Sequence, residues 1–483
     1  MTRSTWELRA AFALSLAGMY GREVPAYPEL VEVASAVNAD VLARDGARAE
    51  RLGSTARVTA ERHGAIRVGT TAELAQVARL FAAFGMEPVG FYDLRDAPGA
   101  PVPVVSTAFR PVAAGQLARN PFRVFTSMLV TGDRRFFDAD LQARLENRLS
   151  RRRLFAPDLV ALADRAATDG GLPAQDADRL VRLATDAFRL STEPVDRGWY
   201  AELAAVSPVA ADIGGVPTTH VNHLTPRVLD IDELYTRMTD RGVAMIPEIQ
   251  GPPGWAGPDV LLRQTSFRAL AEARRFRDAD GSVTAGELRV RFGEVEARGI
   301  ALTPRGRDLY DTMTVEVDAG VAAGGRRPDV AARVWERCLP ATEAELESRG
   351  LGWFDYRVID AATAHRAGTG DPAGVGDPAD DVSLAALVSA GAVTAEPVVY
   401  EDFLPRSAAG IFASNLDGPG GGARAEPGLE LDIDWVSGVL GRPVHDPATL
   451  CADQVRASLD AVAATLGRDP ATLSAPAMLS APA

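Results

Sequence analysis

Residues 63–74, HGAIRVGTTAEL, and residues 223–234, HLTPRVLDIDEL, carry one pattern at two places in the chain. Each copy begins with a histidine, and an arginine, a valine, a glutamate and a leucine follow it by four, five, ten and eleven positions. An internal repeat is the first signal to use for a fold, because each copy is expected to form the same supersecondary unit. We therefore expect two related units that close on each other and direct His63 and His223 at one metal ion.

The segments around the repeat predict that each unit is a strand, a helix and further strands. RHGAIRVGT is extended in the first copy and precedes the helical TAELAQVARLFAAFGM, whereas the second copy has HVNHLTPRVLD and then IDELYTRMTDRGV. Alternating and helical spacings of apolar residues distinguish the two kinds of element. AMIPEIQGPP takes the place of the next strand in the second copy, and LLRQTSFRAL and LRVRFGEVEARGIAL are also predicted to be extended. This order predicts an α+β fold.

The length of 483 residues is sufficient for two or three structural units. We expect them to be built from five consecutive segments. These are an N-terminal helical segment (1–56), a first metal-binding β-module (57–136), a helical insertion (137–210), a second metal-binding β-module (211–360) and a C-terminal segment that closes the active site (361–483).

Charge and composition exclude several classes of function. A net charge of −14 argues against a nucleic-acid partner, because phosphate binding needs a basic surface. The sequence has no lysine, which excludes a pyridoxal phosphate Schiff base and a Walker-type phosphate loop. No run reaches the roughly 18 apolar residues of a membrane span. Glu7 and Arg9 interrupt the first apolar stretch, which favours an amphipathic helix over a signal peptide, so we expect a cytoplasmic protein without a membrane partner.

The third metal ligand is expected from a later strand. Iron(II) sites that activate oxygen typically combine two histidines with one carboxylate and keep positions open. RFGEVEARG is the best source of that carboxylate, because Glu294 and Glu296 share one strand face. Periodicity does not distinguish the two glutamates, although Gly293 permits a close backbone approach and favours Glu294. His220 competes with His223, but we expect it on the opposite strand face and outside the register of the repeat.

Arg67 is the first candidate for binding a substrate. In an extended strand His63, Ala65 and Arg67 face the same way, and about 13 Å separates His63 from Arg67 along the strand axis. Arginine presents a rigid, planar set of donors that suits a carboxylate. A metal at His63 and the guanidinium of Arg67 could therefore hold the two ends of a short dicarboxylate.

Several motifs together resemble one family of enzymes. RHGAIRVGT, GFYDL, STAFRP, NPFRVFTSML, HVNHLTPRVLDID, LLRQTSF, RFGEVEARGIALTP, FDYRVID and EDFLPRSAAGIF follow one another between residues 57 and 416. This series resembles the 2-oxoadipate dioxygenase/decarboxylase family, bacterial enzymes of lysine catabolism that are grouped with the vicinal-oxygen-chelate superfamily. The resemblance implies a vicinal-oxygen-chelate-like core, in which two repeated strand–helix–strands modules form a half-open barrel around a metal, with added helices.

The resemblance also implies a reaction and a metal. The family uses Fe(II) to convert 2-oxoadipate and O2 to 2-hydroxyglutarate and CO2. Its metal triad of two histidines and one glutamate corresponds to His63, His223 and Glu294 in this sequence. The expected partners are therefore a small 2-oxo acid and O2, and the sequence does not predict an oligomeric state.

The resemblance implies two substrate-binding residues, Arg67 and Ser407. Arg67 corresponds to the substrate-binding arginine of the family and Ser407 to the serine of its FLP-x-S stretch. Gln264 is a further candidate for orienting the substrate by a hydrogen bond, and the alternative is that its hydrogen bond is structural. This chain departs from the family pattern at Arg406, where an aliphatic residue is expected. Arg406 either adds a cation to the pocket, which would change the preferred acid, or points outward, so the substrate is expected to be 2-oxoadipate or a related 2-oxo acid.

Two other functions compete with this hypothesis. The same triad suits an oxygen-independent, metal-dependent isomerase or lyase of the same superfamily. A non-catalytic protein that sequesters a small acid is disfavoured, because binding alone does not require a redox metal with open positions. Oxygen uptake that depends on both Fe(II) and a 2-oxo acid would distinguish the first hypothesis from the other two.

Overall fold

The computed structural model of the protein describes residues 2–97, 101–361, 363, 383–404, 428–473 and 477–479. The strands in these ranges are β1 (Thr2–Ser4), β2 (Arg62–Val68), β3 (Glu87–Asp93), β4 (Val104–Arg110), β5 (Arg123–Leu129), β6 (Gly171–Pro173), β7 (Val195–Asp196), β8 (Val221–Pro226), β9 (Leu262–Phe267), β10 (Glu272–Arg277), β11 (Val283–Leu288), β12 (Gly293–Arg298), β13 (Phe354–Val358) and β14 (Val393–Pro397).

The helices in the same ranges are α1 (Thr5–Glu23), α2 (Ala26–Asp45), α3 (Thr55–Ala60), α4 (Thr71–Ala82), α5 (Ala114–Arg119), α6 (Ala139–Leu149), α7 (Pro157–Asp169), α8 (Ala174–Ala187), α9 (Arg197–Val206), α10 (Pro208–Gly215), α11 (Ile231–Asp240), α12 (Pro304–Ala322), α13 (Arg327–Cys338), α14 (Glu343–Ser348), α15 (Leu384–Ser389), α16 (Ile433–Leu440) and α17 (Pro447–Leu466). Short 3-10 helices occupy Gly46–Glu50, Pro470–Thr472 and Ala477–Leu479. No helix among these described residues is both long enough and apolar enough to cross a membrane.

Both copies of the repeat start the same order of elements. The first copy forms β2, α4, β3, β4 and β5, and the second forms β8, α11, β9 and β12. A short extended segment replaces one strand of the second copy, since Met245 and Gln250 form isolated bridges to Phe267 and Gln264 of β9. The β10–β11 hairpin is inserted between β9 and β12. The predicted strand–helix–strands order is therefore present twice.

One five-stranded sheet joins the two copies, with the strand order β3–β4–β5–β2–β8. β2 is parallel to β5 and antiparallel to β8, so the two histidine-bearing strands are neighbours. β12 lies along the other side of β8, because the backbone N–H of Phe292 donates to Asn222 O at 3.2 Å and that of Val228 to Glu296 O at 2.8 Å. β9 pairs with β12 in the antiparallel sense.

The two faces of these strands have different surroundings. Ile66, Val124, Leu224 and Val295 lie on one face, in a hydrophobic core that they share with residues of α1, α2 and α4. Side chains alternate between the faces of a strand. Burial of the apolar face against the helices therefore leaves the opposite face to the histidines.

The glutamate of the repeat belongs to a helix start in each copy. Thr70 and Asp230 are the N-caps of α4 and α11, and their side chains accept hydrogen bonds from the backbone N–H groups of Glu73 and Glu233. Such caps satisfy N–H groups that have no partner within a helix. The glutamate therefore recurs in both copies because it lies in the first turn of a helix, and not because it binds a metal.

Comparison with the sequence predictions confirms the α+β class and changes some boundaries. The segment predicted to be extended from residue 57 begins later, because Ser54 caps α3 and β2 starts only at Arg62. The predicted segment boundaries at 56/57 and 210/211 fall inside α3 and α10. Closure of the sheet into a half-open barrel stays a prediction.

Candidate metal centre

The two histidines of the repeat project from the same face of neighbouring strands. His63 on β2 is directly opposite Thr225 on β8, and His223 is directly opposite Ala65. Directly opposed residues of an antiparallel pair share a face. The small side chain of Ala65 leaves room for the imidazole of His223, and the two rings meet nearly edge to face, with centroids 5.3 Å apart.

Glu294 reaches the same face from the other side of β8. The hydrogen bond from Phe292 N to Asn222 O fixes the register of β12 and brings Glu294 level with Thr225. Since His63 is level with Thr225 on the opposite side, His63 and Glu294 flank β8 at the same height. Three adjacent strands therefore supply the three predicted metal ligands.

The donor atoms of these three side chains converge. Nε2 of His223 lies 3.2 Å from Oε2 of Glu294, and Nε2 of His63 lies 3.7 Å from Oε1 of the same carboxylate. One donor atom of each residue lies within 4.8 Å of the others. Two imidazole nitrogens and one carboxylate oxygen at these separations can surround a single ion.

Burial makes the ionised form of the Glu294 carboxyl unfavourable in the absence of a cation. Glu294 is only 3% exposed, and burial together with the neighbouring Glu296 holds the pKa of its carboxyl well above the usual range. Burial also lowers the pKa of His63, and it lowers the pKa of His223 strongly. A divalent cation requires an ionised carboxylate and neutral imidazoles. The residues therefore fit a metal, and their donor set is that of non-haem iron(II) sites.

Glu296 lies behind His63 and not at the point of convergence. Its Oε2 is 2.9 Å from Nδ1 of His63, whereas Glu294 lies on the Nε2 side of the ring. Burial alone would raise the pKa of Glu296, but the charges of Arg298 and His63 hold it well below its usual range. An ionised carboxylate at Nδ1 keeps Nε2 available for a metal. The geometry favours Glu294 as the ligand and gives Glu296 a supporting place.

The prediction that His220 lies on the opposite face from His223 is wrong, because β8 contains a β-bulge. Ala65 pairs with His223 but the next residue, Ile66, pairs with Val221, so Asn222 is an extra residue that inverts the alternation. Val221 enters the apolar core with Ile66, and His220 returns to the His63 face.

His220 nevertheless belongs to a different polar group from the triad. Its Nε2 lies 3.3 Å from Oδ1 of Asp212 and 3.1 Å from Nδ2 of Asn222. Asn222 also donates to Oδ2 of Asp212 at 2.9 Å. These contacts place His220 beside the aspartate and away from the convergence of the three ligands.

Arg67 is buried and forms an ion pair with Asp212 of α10. The two residues are 4% and 2% exposed. Sequence reasoning missed Asp212, because it lies 145 residues from Arg67 in a helix without a recognisable motif. The pair orients the guanidinium on the same strand face as His63.

Of the other two predicted substrate-binding residues, Gln264 lies in the described part of the chain and Ser407 does not. Gln264 is buried on β9 directly opposite Glu296, so it faces the side of the sheet that carries the carboxylates. Ser407 and its neighbour Arg406 lie outside the described residues. Just before them, the ring of Phe403 packs edge-on against His63, with centroids 5.1 Å apart.

A buried network of ions behind His63 was not predicted. Arg123 donates to Glu61 and to Glu401 at 2.6 Å in each case, and Arg227 donates to Glu61 at 2.9 Å. Buried charges are costly unless they are paired. The sequence signal for this network is a charge within an otherwise apolar strand, such as Arg123 in FRVFTSML.

The sequence is similar to those of one group of enzymes. Residues 12–415 match the model of the 2-oxoadipate dioxygenase/decarboxylase family. The chain is 56% identical over 446 residues to the 2-oxoadipate dioxygenase/decarboxylase of Mycobacterium bovis, covering 92% of this chain and 96% of that protein. It is 41% identical over 471 residues to the protein of the same name from Pseudomonas putida, covering 95% and 97%.

The fold is also similar to the folds of solved structures of a hydroxyglutarate synthase. The crystal structure of the hydroxyglutarate synthase from Pseudomonas putida matches with a TM-score of 0.78 at 36% identity, and it covers 96% of this chain and 99% of that chain. The structure of that synthase in complex with 2-oxoadipate matches with a TM-score of 0.79 at the same identity and coverage. The chain belongs to the 2-oxoadipate dioxygenase/decarboxylase family.

Proposed function

We propose that this protein is an Fe(II)-dependent dioxygenase that converts 2-oxoadipate and O2 to 2-hydroxyglutarate and CO2, as a step of lysine catabolism. The observation that carries the proposal is the buried convergence of His63, His223 and Glu294 in a chain of this family. The names of the relatives and the 2-oxoadipate complex of a similar structure support the choice of substrate.

The three converging side chains would hold the metal. Nε2 of His63, Nε2 of His223 and a carboxylate oxygen of Glu294 are the donors. Bound Fe(II) supplies the activation of O2 and the chelation of a 2-oxo acid. A protein site of only three donors suits this role, because it keeps positions open for both reactants.

The remaining groups of the site orient the substrate and exclude water. Arg67, held by Asp212, is proposed to bind a carboxylate of the substrate, and its charge is suited to that group. Gln264 is proposed to add a hydrogen bond from β9. The rings of Phe403 and Phe125, with centroids 4.9 Å apart, place apolar surface beside His63 and help to keep the centre dry.

The proposal is tested by oxygen consumption with protein that has been loaded anaerobically with Fe(II). We expect O2 uptake with 2-oxoadipate, matched by equal amounts of CO2 and 2-hydroxyglutarate, and no uptake without the 2-oxo acid. Metal-free protein and Glu294→Gln protein serve as controls.

The choice of acid distinguishes the remaining possibilities. Uptake with 2-oxoglutarate in preference to 2-oxoadipate would indicate that the substrate has changed, and Arg406 would then be the first residue to replace. Absence of uptake with both acids, in protein that demonstrably holds iron, would contradict the dioxygenase and favour an oxygen-independent reaction at the same metal.

A further inference from the structure

We propose that Arg298 is a positioning residue that holds the metal ligand His63 and the chain segment at Tyr400–Phe403 in one arrangement. The inference rests on the proposed function, since it assumes that His63 binds the metal and that the segment leading to Ser407 contributes to substrate binding. Among the described residues Arg298 forms no hydrogen bond or ion pair with His63, His223 or Glu294, so it acts on the centre only through its neighbours.

The first set of contacts connects Arg298 to His63. Its Nε and one terminal nitrogen donate to the two carboxylate oxygens of Glu296 at 2.7 and 2.8 Å. The same carboxylate lies 2.9 Å from Nδ1 of His63. A two-pronged arginine–carboxylate contact fixes the plane of both groups. The orientation of the Glu296 carboxylate, and with it that of the His63 ring, therefore depends on Arg298.

The second set of contacts connects Arg298 to the C-terminal segment. Its remaining terminal nitrogen donates to the carbonyl oxygens of Tyr400 and Asp402 at 2.8 and 3.0 Å. The guanidinium also lies over the ring of Phe403, 5.6 Å from its centroid, and that ring packs on His63. One buried side chain thus contacts both groups that border the imidazole of His63.

Lysine cannot take over this arrangement even though it carries the same charge. An ammonium group offers one point of attachment, whereas the guanidinium offers several donors in a fixed plane. The charge of Arg298 balances Glu296, but only the planar set of donors reaches the carboxylate and the two carbonyl oxygens together. Arg298→Lys therefore separates positioning from simple charge compensation.

Two neighbouring residues provide matched comparisons. Glu296 contacts His63 and Arg298 but donates nothing to the C-terminal segment, so Glu296→Gln tests the first connection alone. Arg110 binds both oxygens of Asp402 at 2.8 and 3.1 Å and is equally buried. No hydrogen bond or ion pair joins Arg110 to Glu296 or His63 within the described part of the chain, so Arg110→Lys tests the second connection alone.

The experiment measures two affinities without turnover. Co(II) affinity is determined by chelator competition, and 2-oxoadipate affinity by titration of the Co(II)-loaded protein. We expect Glu296→Gln to weaken Co(II) binding by about 10- to 100-fold and leave 2-oxoadipate binding nearly unchanged. Arg110→Lys should weaken 2-oxoadipate binding by about tenfold with normal Co(II) binding. Arg298→Lys should show both losses.

Equal losses of Co(II) affinity in Arg110→Lys and Arg298→Lys would overturn the proposal, because any damage to the buried network would then have the same effect. Normal Co(II) affinity in a folded Arg298→Lys protein would overturn it too. If Arg298→Lys does not fold, the double variant Glu296→Gln, Arg110→Lys tests whether the two losses are separable. A wild-type protein that binds Co(II) but not 2-oxoadipate would contradict the proposed function, while the Co(II) measurements would still decide the connection to His63.

Discussion

The two copies of the repeat share a backbone order but differ in what they contribute to the centre. In the first copy, β5 is the parallel neighbour of β2, and an arginine, a phenylalanine and a serine of β5 are paired with residues 63, 65 and 67. In the second copy, β12 and the residue before it run parallel to β8, and a phenylalanine and two glutamates are paired with residues 223, 225 and 227. The three pairs of the first copy are His63 with Arg123, Ala65 with Phe125 and Arg67 with Ser127, and those of the second are His223 with Phe292, Thr225 with Glu294 and Arg227 with Glu296.

This difference accounts for the three donors, rather than four, that the described residues bring together. Phe125 occupies the place in the first copy that Glu294 occupies in the second. A carboxylate at both places would give a more symmetric and more enclosed site. The aromatic ring would leave that side of a bound ion to other ligands, as the proposed reaction with O2 and a chelating acid requires.

The histidines and arginines of the two copies also differ in their partners. Nδ1 of His63 lies 2.9 Å from a carboxylate oxygen of Glu296, whereas His223 approaches a carboxylate through Nε2, which lies 3.2 Å from Glu294. Arg67 pairs with Asp212 on the side of the centre, while Arg227 binds Glu61 in the network behind His63. One arginine of the repeat is thus held beside the centre by an aspartate, and the other belongs to the buried ion network.

The largest expected effect comes from removal of the carboxylate that is unique to the second copy. Glu294→Gln keeps the shape of the side chain but removes its charge. Loss of a residue that hydrogen-bonds a metal ligand lowers metal affinity by about 10- to 100-fold, and loss of a ligand itself should lower it more. We therefore expect Fe(II) affinity to fall by more than about 100-fold, with loss of O2 uptake. Glu287→Gln, on the exposed part of β11, is the matched control and should bind Fe(II) normally. Retained metal and turnover in Glu294→Gln would exclude this residue as a ligand.

A second prediction makes the first copy resemble the second. Phe125→Glu places a carboxylate where the structure has a ring, so the metal is expected to stay bound while O2 uptake falls by about 100-fold, or about 2.7 kcal/mol in the barrier. Metal content and O2 consumption are measured on the same preparation. Phe125→Leu, which stays apolar, controls for packing. Full activity of Phe125→Glu with the metal bound would show that neither O2 nor the 2-oxo acid needs the position beside residue 125.

The third prediction compares the two arginines. Arg67→Ala leaves the buried carboxylate of Asp212 without its arginine, which costs about 3–5 kcal/mol in the free energy of unfolding. Arg227→Ala should cost less, because Glu61 keeps its ion pair with Arg123. Only Arg67→Ala should also raise the KM for 2-oxoadipate strongly, with the metal still bound. Urea unfolding and steady-state kinetics separate the two effects. Loss of metal from Arg67→Ala would assign Arg67 a structural role instead.

The smallest expected effect is a change in proton release. Above pH 6.5 the two histidines, whose pKa values are lowered, are already neutral, whereas the raised pKa of Glu294 extends the pH range in which its carboxyl keeps the proton. At a pH below the raised pKa of Glu294, metal binding should therefore release about one proton, and metal affinity should rise with pH until the pH passes that pKa. Titration calorimetry in buffers of different ionisation enthalpy measures the number of protons that are released when the metal binds. Release that is unchanged in Glu294→Gln would assign the proton to another group.

The repeat made a large part of this centre predictable. Matched spacing identified His63 and His223, and strand alternation reduced the third ligand to Glu294 or Glu296. The choice between them depended on the register of β12 against β8, which sequence periodicity does not contain. The face of His220 was predicted wrongly, since a bulge of one residue at Asn222 reverses the alternation and leaves no recognisable pattern.

Residues that act through distant contacts were the least predictable. Asp212 and Glu401 reach Arg67 and Arg123 across 145 and 278 positions of the chain. No local spacing relates such pairs, and a buried charge indicates only that some partner exists. The predicted roles of Ser407 and Arg406 lie outside the described residues and stay predictions.

The wide separation of the three donors along the chain also has a consequence for how the protein would acquire the proposed metal. Two of them, His63 and Glu294, come from strands at opposite ends of a long stretch of sequence, and both copies must already be paired before the donors meet. The ion therefore cannot guide the early stages of folding. It can only select and stabilise the finished structure by mass action, so added metal should slow unfolding and raise the melting temperature without accelerating refolding.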